Sequence, residues 1–290
     1  MSAGQDSHHW RFWLAWSQSE QPARVLWNLH DSGALHEWPE LHALVGVPQD
    51  PEWHPERDVW VHTLLVCDAA AAVATRDSLD LRARLELLLA ALCHDLGKPA
   101  TTRFETGRWR ASGHPEAGIE PTERLLARMQ APPELLEPLR PLVREHLVHA
   151  QPAMSARGIR RMLRRLQPAT LPQLARLIEA DLSGRPPLPR GLTPAVADWV
   201  ARAEAQLSLG LTEGATEGPE APLLQGRHLI ALGYEPAVWF GGVLRECAAA
   251  QEAGEFTELE GGFRFLHTLL QQRAASESQV PRKEIHLFES

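Results

Sequence analysis

The sequence predicts an all-α protein, and three observations support that fold class. Good helix formers such as Leu, Ala, Arg and Glu dominate the chain, whereas alternating runs of β-branched residues are nearly absent. Hydrophobic residues make up 44% of the 290 residues and charged residues 23%, which is typical of a globular protein with one large domain or two modest ones. Apolar residues also recur at helical spacing, as in the stripe Leu85, Leu88, Leu89 and Leu92.

Two helices are predicted before the middle of the chain, over 59–76 and 81–96. Gly97 is suited to end the second helix in the left-handed cap position. His94 and Asp95 then lie in the last turn of a buried helix, where it meets a loop.

The rest of the chain reads as further helices and short connections. A polar loop that contains Trp109 comes next, and SGHPEAG opens a helix with Pro115 suited to its first position. Pro121, Pro138 and Pro141 interrupt the following region, so no helix ends are predicted there. The sequence GLTEGATEGPEAP over 210–222 predicts a linker. Other helices are predicted over 155–166, 171–182, 193–208, 226–232, 236–253 and 258–273.

The tryptophans are concentrated near the start of the chain. Seven of the ten lie before residue 61, and Trp10, Trp13 and Trp16 have the spacing of one helical face. This pattern predicts a packing stripe that closes the start of the domain, and a base-stacking surface is the less favoured alternative.

Composition excludes several classes of protein. The three cysteines form no CxxC pair, so neither a disulfide framework nor a cysteine zinc site is predicted, and a reducing, cytoplasmic location fits. No signal peptide or membrane-spanning segment is apparent, so no membrane partner is expected. The net charge of −8 argues against a surface that binds nucleic acid throughout, and no DNA partner is predicted.

Six potential metal ligands lie in or beside different predicted helices: His62, His94, Asp95, His114, His146 and Asp181. A helical bundle builds a metal site in this way, from side chains that point inward from several helices. Imidazole together with carboxylate suits Mn, Fe, Co, Ni or Zn, and Mg is less natural with this many histidines. Adjacent helical residues point about 100° apart. His94 and Asp95 can therefore meet one ion only where the helix ends beside a cavity.

These residues lie within segments that resemble a known family. The pattern HPERDVWVHTL, LAALCHDLGKP, SGHPEAG, VREHL and IEADLSGRP is similar to the HD phosphohydrolase superfamily. It most resembles the HD domain of bacterial tRNA nucleotidyltransferases, the CCA-adding enzymes. The segment PLLQGRHLIALGYEPAVWFGGVLRECAAAQEAGEF resembles the helical C-terminal tail of those enzymes, and the resemblance covers roughly residues 22–270.

The resemblance implies a metal site, residue by residue. The first family histidine falls on His62, the dyad on His94 and Asp95, and the distal aspartate on Asp181. These four would complete one divalent metal site.

Many members of the superfamily bind a second ion through histidines located between the dyad and the distal aspartate. His114 and His146 lie at those positions, so the resemblance leaves open one ion or two. The alternative role of His114 is to cap a helix. The alternative for His146 is a partly exposed histidine that binds no metal. His149 competes with His146, and His54 is expected to cap or pack.

Several cations are candidates for contact with a phosphate group. Lys98 follows the dyad and is suited to hold a phosphate oxygen as a point charge, although it could also be a solvated lysine. In RGIRRMLRRL, Arg157 and Arg161 belong to a basic strip that could bind a nucleotide or the RNA backbone, or form a solvated face paired with acids. Arg185 could reach the pocket.

The implied function is metal-dependent hydrolysis of phosphomonoesters or 2′,3′-cyclic phosphodiesters of nucleotides or RNA ends. A divalent ion lowers the pKa of bound water, Asp95 serves as ligand and orients the water, and Lys98 offsets charge on the phosphoryl group. No motif places a Ser or Cys nucleophile, so direct attack by water is favoured. The alternative is a catalytically weak HD-fold module that binds tRNA, another RNA or a protein.

The resemblance also predicts the domain organisation. We expect a neck-like helical segment over 1–50, an HD phosphohydrolase domain over 51–190, a helical tail over 191–275 and a loose terminus over 276–290. The sequence has neither the glycine-serine phosphate loop nor the DxD aspartates of a nucleotidyltransferase head, so CCA addition by this chain alone is not expected.

Overall fold

A computed structural model of the protein describes residues 8–150, 154–209, 222–253, 255–256 and 258–276. The described chain is helical apart from one small hairpin, which confirms the predicted all-α class. The predicted linker 210–222, except for its last residue, and the predicted terminus 276–290, except for its first, lie outside the described residues. The helices are α1 His8–Ser17, α2 Pro22–Asp31, α3 Pro39–His42, α4 Val59–Arg76, α5 Leu81–Cys93, α6 Lys98–Thr101, α7 His114–Ala117, α8 Ile119–Met129, α9 Leu136–Glu145, α10 Ala156–Leu166, α11 Leu171–Ser183, α12 Pro194–Ser208, α13 Gly226–Ala231, α14 Trp239–Ala253 and α15 Leu259–Ser276.

The chain forms two compact units, of which the first comprises residues 1–150 and 165–204. Its centre is α4, which packs against both α5 and α11. The first turn of α4 is capped by the Asp58 carboxylate, which accepts a hydrogen bond from the Val61 N–H, and Asp80 caps α5 in the same way. Buried apolar side chains of α5 such as Leu88, Leu89 and Leu92 fill the core between these helices.

The tryptophan stripe of α1 lies in the core of the first unit, as predicted. Trp10, Trp13 and Trp16 are buried, and the ring of Trp13 meets that of Trp38 edge to face with centroids 4.9 Å apart. Such contacts add to the large apolar area that each indole buries. This stripe therefore closes the start of the unit and offers no surface for a nucleobase.

The second unit comprises residues 151–164 and 205–290. Within it, α14 packs against α15 and α13 packs against α14. Its own apolar core includes Leu229, Val243, Cys247 and Leu266. The helices predicted from the tail-like sequence therefore exist, and their ends agree with α13, α14 and α15 to within three residues.

The prediction for Gly97 was wrong. α5 ends at Cys93, and Gly97 has a right-handed backbone conformation with φ of −83° at the start of α6. A Cβ atom at this position would lie 2.1 Å from the His114 carbonyl oxygen and 2.6 Å from the Gly118 nitrogen. Glycine is therefore required at position 97 because the backbone approaches α7 closely, and not because of a left-handed helix cap.

The segment predicted as a polar loop around Trp109 contains an antiparallel hairpin. Its strands are β1 Arg103–Glu105 and β2 Arg108–Arg110, with Phe104 opposite Trp109. The two turn residues, Thr106 and Gly107, have φ of 50° and 80°. Positive φ at both positions is the geometry of the tight turn that suits the twist of paired strands.

One described helix, α4, is long and apolar enough to cross a membrane by length and composition alone. About 61% of it is buried inside the protein. Its hydrophobicity is accounted for by its central place between α5 and α11.

Candidate metal centre

The structure brings together all six candidate ligands predicted from the sequence. His62 lies in the first turn of α4, His94 directly follows α5, and His146 directly follows α9. His114 begins α7, and Asp181 lies near the end of α11. All six side chains, including Asp95, belong to residues that are at most 5% exposed.

The six residues form two groups of three. In the first, ligand atoms of His62, His94 and Asp181 all lie within 4.8 Å of one another. Nε2 of His62 is 3.1 Å from Oδ1 of Asp181. Two imidazoles and a carboxylate converging at this distance are a donor set that suits a borderline divalent ion.

The second group consists of Asp95, His114 and His146, whose ligand atoms also lie within 4.8 Å of one another. Nε2 of His114 is 3.2 Å from Oδ1 of Asp95 and 3.2 Å from Nε2 of His146. Asp95 connects the two groups, since its other oxygen, Oδ2, is 3.1 Å from Nε2 of His94.

Three of the histidines are oriented by the same local device. Nδ1 of His94, His114 and His146 each lies 2.7 Å from the carbonyl oxygen three residues earlier in the chain. With Nδ1–H donating to the backbone, Nε2 keeps its lone pair and faces the cluster. For His94 and His146, which directly follow α5 and α9, this is possible because carbonyls in the last turn of a helix lack the usual helical partner.

Several buried polar atoms of the cluster have no hydrogen-bond partner of acceptable geometry in the described part of the chain. These atoms are Nε2 of His94 and both carboxylate oxygens of Asp95. An unsatisfied buried polar group costs about 1–3 kcal/mol, and more when it is charged. Buried imidazole and carboxylate lone pairs that converge in this way fit a cation, so the residues present fit the metal that the sequence predicts.

The ionisation of the cluster also favours a cation. Burial alone would raise the pKa of Asp95, but electrostatic attraction from the neighbouring groups, His94 and Lys98 foremost, outweighs burial and holds the pKa well below the usual range. Burial likewise opposes ionisation of Asp181, whose pKa is held low by the hydrogen bond from His62. Burial lowers the pKa of His146 to about 3, so this imidazole is neutral. Carboxylate and neutral imidazole are the forms that bind metal.

Glu56 was not predicted from the sequence, yet it contacts the first group directly. Its Oε1 lies 2.9 Å from Nδ1 of His62 and 2.8 Å from Nδ1 of His54, and these three residues form a further cluster of possible ligands. Burial opposes the charge of His62, but the hydrogen bonds that its ring donates to Asp181 and Glu56 outweigh burial and raise the pKa of His62 to about 9. Metal binding at Nε2 would therefore release a proton from this ring. Glu56 therefore fixes the ring of His62 from behind, and His54 supports Glu56 rather than capping a helix.

The segment that carries Glu56 folds over the cluster. The backbone N–H of Gln49 donates to the Arg57 carbonyl, which closes the segment into a loop. The Gln49 side chain accepts a hydrogen bond from Nζ of Lys98 at 2.5 Å, and that ammonium is also 2.7 Å from Oδ2 of Asp95. Lys98 is therefore buried in the wall of the site and is not the solvated lysine that the sequence allowed as an alternative.

The cluster opens into a cavity of about 530 Å³ in the first unit. Asp95, His114, His146 and Asp181 line it, together with Lys98, Arg185, His149, Trp53, Trp109 and Arg110. Nε of Arg185 is buried without a hydrogen-bond partner in the described residues.

Two of the predicted substrate-binding arginines have a different location. Arg157 and Arg161 lie on α10 within the second unit, whereas every residue that lines the cavity belongs to the first. His149 lines the cavity, but its Nδ1 faces the His146 carbonyl at 3.0 Å, and it belongs to none of the described groups of metal ligands. Of the two competing histidines, the structure places His146 in the cluster.

Comparison with known proteins gives two kinds of match. The family model described as the HD domain matches residues 59–203, a range that contains all six candidate ligands. The Multifunctional CCA protein of Xanthomonas campestris pv. campestris is 40% identical over 174 residues, which cover 58% of this chain and 40% of that protein. The Multifunctional CCA protein of Xylella fastidiosa is 37% identical over 185 residues, covering 60% of this chain and 42% of its own length. The chain thus matches about two fifths of the length of these curated relatives.

Proposed function

This chain belongs to the HD domain family, and from that premise we propose that it hydrolyses phosphomonoesters or 2′,3′-cyclic phosphodiesters of nucleotides or RNA ends in a metal-dependent reaction. The observation that carries the proposal is the buried cluster of four histidines and two aspartates at the base of a 530 Å³ cavity. A cluster of this composition inside a helical bundle has a clear chemical use in binding divalent cations.

In this proposal, His62, His94, Asp95 and Asp181 would hold one divalent ion, and Asp95 with His114 and His146 would hold a second. When bound, such ions lower the pKa of water and polarise a phosphoryl oxygen. The identity of the metal is open among Mn, Ni, Co, Fe, Zn and Mg.

The chain's own residues supply the remaining parts of the reaction. Asp95, whose oxygens lack hydrogen-bond donors of acceptable geometry in the described residues, orients the attacking water. Lys98 and Arg185 face the same cavity and offset negative charge that develops on the phosphoryl oxygens. With a cyclic phosphodiester, the water oxygen bonds to phosphorus while one ring P–O bond breaks, and the product is a phosphomonoester.

The alternative function is an HD-fold module that binds tRNA, another RNA or a protein without catalysis. The similarity to proteins named Multifunctional CCA protein keeps tRNA as a candidate partner. The buried carboxylates of Asp95 and Asp181 favour the enzyme, because burying ionised groups is costly and surface binding does not require it. A cytoplasmic location remains a prediction of the sequence.

A screen of phosphate esters tests the proposal. Purified full-length protein, stripped of metal, is assayed against phosphomonoesters and 2′,3′-cyclic nucleotides with Mn²⁺, Ni²⁺, Co²⁺, Zn²⁺ and Mg²⁺ in turn. We expect hydrolysis with at least one ion, its loss in Asp95→Ala, and no change in Asp198→Asn, since Asp198 is an exposed aspartate on α12. Absence of hydrolysis with every ion would overturn the proposed function.

A further inference from the structure

Two tryptophans of the first unit are exposed at the cavity that contains the metal cluster. Trp53 is 57% exposed and Trp109 is 37% exposed, and both line the cavity together with Asp95 and Asp181. An indole left in water forgoes the burial that stabilises large aromatic side chains elsewhere. Other tryptophans of the first unit, such as Trp13 and Trp16, are fully buried.

The segments that carry these tryptophans are held together by an ion pair. Nε of Arg108 donates to Oδ2 of Asp50 at 2.9 Å, and its Nη2 donates to Glu52. Arg108 directly precedes Trp109 on β2, while Glu52 directly precedes Trp53. The ion pair therefore joins the hairpin to the loop at the point where each presents its indole.

The hairpin gives Trp109 a defined position. Its ring meets the ring of Phe104 on the paired strand, with centroids 5.0 Å apart and planes at 63°. An edge-to-face contact supports an aromatic ring and leaves part of its surface available. Trp109 is thus held at the rim by its cross-strand neighbour.

Charges near the two indoles fit a ligand that is aromatic at one end and anionic at the other. Arg110 follows Trp109 and lines the cavity, as do Lys98 and Arg185 deeper in the site. Every nucleobase presents a π face that stacks on an indole regardless of base identity, and the attached phosphate is attracted by such cations. A phosphate ester without a base would leave the rim unused.

We propose that Trp53 and Trp109 bind the nucleobase of the substrate and so determine specificity for nucleoside phosphates over simple phosphate esters. The assignment rests on the proposed function, in which the phosphate of the substrate occupies the cavity beside the metal cluster. Arg108 is a positioning residue in this account, because it contacts the loop rather than the ligand.

The test compares two probes in equilibrium binding. Adenosine 2′,3′-cyclic phosphate and methyl riboside 2′,3′-cyclic phosphate, which lacks the base, are titrated by calorimetry into full-length, metal-free protein, where no hydrolysis competes. A trinucleotide that ends in the same cyclic phosphate distinguishes an RNA end from a free nucleotide. Wild-type protein is expected to bind the base-containing probes about 5- to 100-fold more tightly than the base-free probe, the range that stacking on an aromatic side chain supplies.

Variants assign this preference to the two indoles. Trp53→Ala and Trp109→Ala should each lose most of the preference while leaving affinity for the base-free probe unchanged, and Trp53→Phe and Trp109→Phe should retain part of it. Trp27→Ala is the matched control, since Trp27 is an equally exposed indole on α2, at 47%, that does not line the cavity.

The outcomes separate this inference from the proposed function. Equal affinity of wild-type protein for both cyclic phosphates, no binding of either, or an equal effect of Trp27→Ala would overturn the role of the rim. Hydrolysis of the adenosine and the methyl riboside cyclic phosphates with equal kcat/KM would also overturn the role of the two tryptophans, whereas the proposed phosphohydrolase function would be supported. A base preference in binding with no hydrolysis by any metal-loaded sample would support the rim and overturn the function.

Discussion

Asp95 is the residue on which both groups of ligands converge. Its Oδ2 is 3.1 Å from Nε2 of His94 and 2.7 Å from Nζ of Lys98, whereas its Oδ1 is 3.2 Å from Nε2 of His114. A side chain that faces ligands of both groups has more influence on the site than one confined to a single group. The adjacency of His94 and Asp95 in sequence explains the geometry, because the two side chains leave the end of α5 in different directions.

Replacing Asp95 with Asn tests that role with little change in shape. The amide keeps the volume but removes the charge, so we expect affinity for Mn²⁺ to fall by more than about 100-fold, beyond the loss that outer-shell changes cause. Thermal unfolding in chelator should show a lower midpoint but stay cooperative, because the substitution leaves the buried ammonium of Lys98 without its carboxylate partner. Competition with a fluorescent chelator measures the affinity, with Asp198→Asn as control. Unchanged affinity in Asp95→Asn would contradict the role of Asp95.

Glu56 acts on the site through His62. The carboxylate holds the Nδ1 side of the ring at 2.9 Å, and Glu56→Gln keeps the shape but weakens the acceptor. We expect this change to reduce metal affinity about 10- to 100-fold, as loss of an outer-shell carboxylate does elsewhere.

The measurement for Glu56→Gln is the same chelator competition, and the matched control is Glu52→Gln. Glu52 lies in the same loop but is exposed and contacts Arg108 instead. Equal affinities of Glu56→Gln and wild type would show that Glu56 does not position His62.

The resemblance to the HD family, together with the placement of imidazoles and carboxylates in or beside predicted helices, selected the six ligands that the structure gathers, although His149 remained a competitor of His146. Glu56 could not be selected in this way. Its contact with His62 depends on the loop turning back onto α4. Arg57 in that loop has a left-handed φ of 63°, a conformation that an arginine in the sequence does not predict. The sequence also could not predict that Trp53 and Trp109 act together, because they are 56 residues apart and only the fold brings both to the same cavity.

At the scale of elements, glycines let the ligand-bearing segments approach closely. Gly97 touches the backbone of α7, which begins with His114. Gly184 follows Asp181 at the end of α11, and a Cβ atom there would lie 2.5 Å from Cγ2 of Val66 on α4. Close packing at these two points fixes the distances between ligands on different elements.

Gly97→Ala tests the contact with α7. The added methyl group meets backbone atoms that have no rotamer to change, so we expect a loss of about 3 kcal/mol in the free energy of unfolding and weaker metal binding. Denaturant unfolding measures the first and chelator competition the second.

Gly242→Ala in α14 is the control for this substitution. A Cβ atom there meets only the guanidinium of Arg273 at 3.7 Å, and Ala in a helix interior is favoured over Gly by up to about 1 kcal/mol. A neutral or stabilising Gly97→Ala would contradict the close approach.

Elements with strong periodicity were predictable, and those set by tertiary contact were not. α4 was predicted at its observed bounds because a long apolar run begins after Asp58 and ends at a charged turn. The ends of α8 and α9 were not, since Pro141 lies inside α9 where local rules predict a break. The hairpin was missed because three-residue strands carry too little alternation to detect.

At the scale of the whole molecule, the candidate centre belongs to the first unit, and the second unit has its own apolar core. The predicted boundaries at 50, 190 and 275 remain proposals. A ligand that binds the folded state and not the unfolded chain stabilises the fold by mass action. The candidate centre requires residues within α4, α7 and α11 and residues just after α5 and α9, which only the folded unit brings together.

We therefore expect added metal to raise the thermal midpoint. At a free ion concentration of 100 times Kd, the gain is about 2.7 kcal/mol, and chelator should reverse it. Scanning calorimetry of metal-stripped protein with and without Mn²⁺ or Ni²⁺ measures the shift. An equal shift in Asp95→Asn would place the stabilising ion elsewhere.

The most direct test of the central claim is the metal stoichiometry of the candidate centre. Metal-stripped, full-length protein is titrated with Mn²⁺ by isothermal calorimetry, alongside Asp95→Asn and the control Asp198→Asn. The account predicts one or two ions per chain for the wild type and for Asp198→Asn, and none at comparable affinity for Asp95→Asn. Failure of the wild type to bind Mn²⁺ or any other divalent ion in the series, or binding that survives in Asp95→Asn, would contradict it.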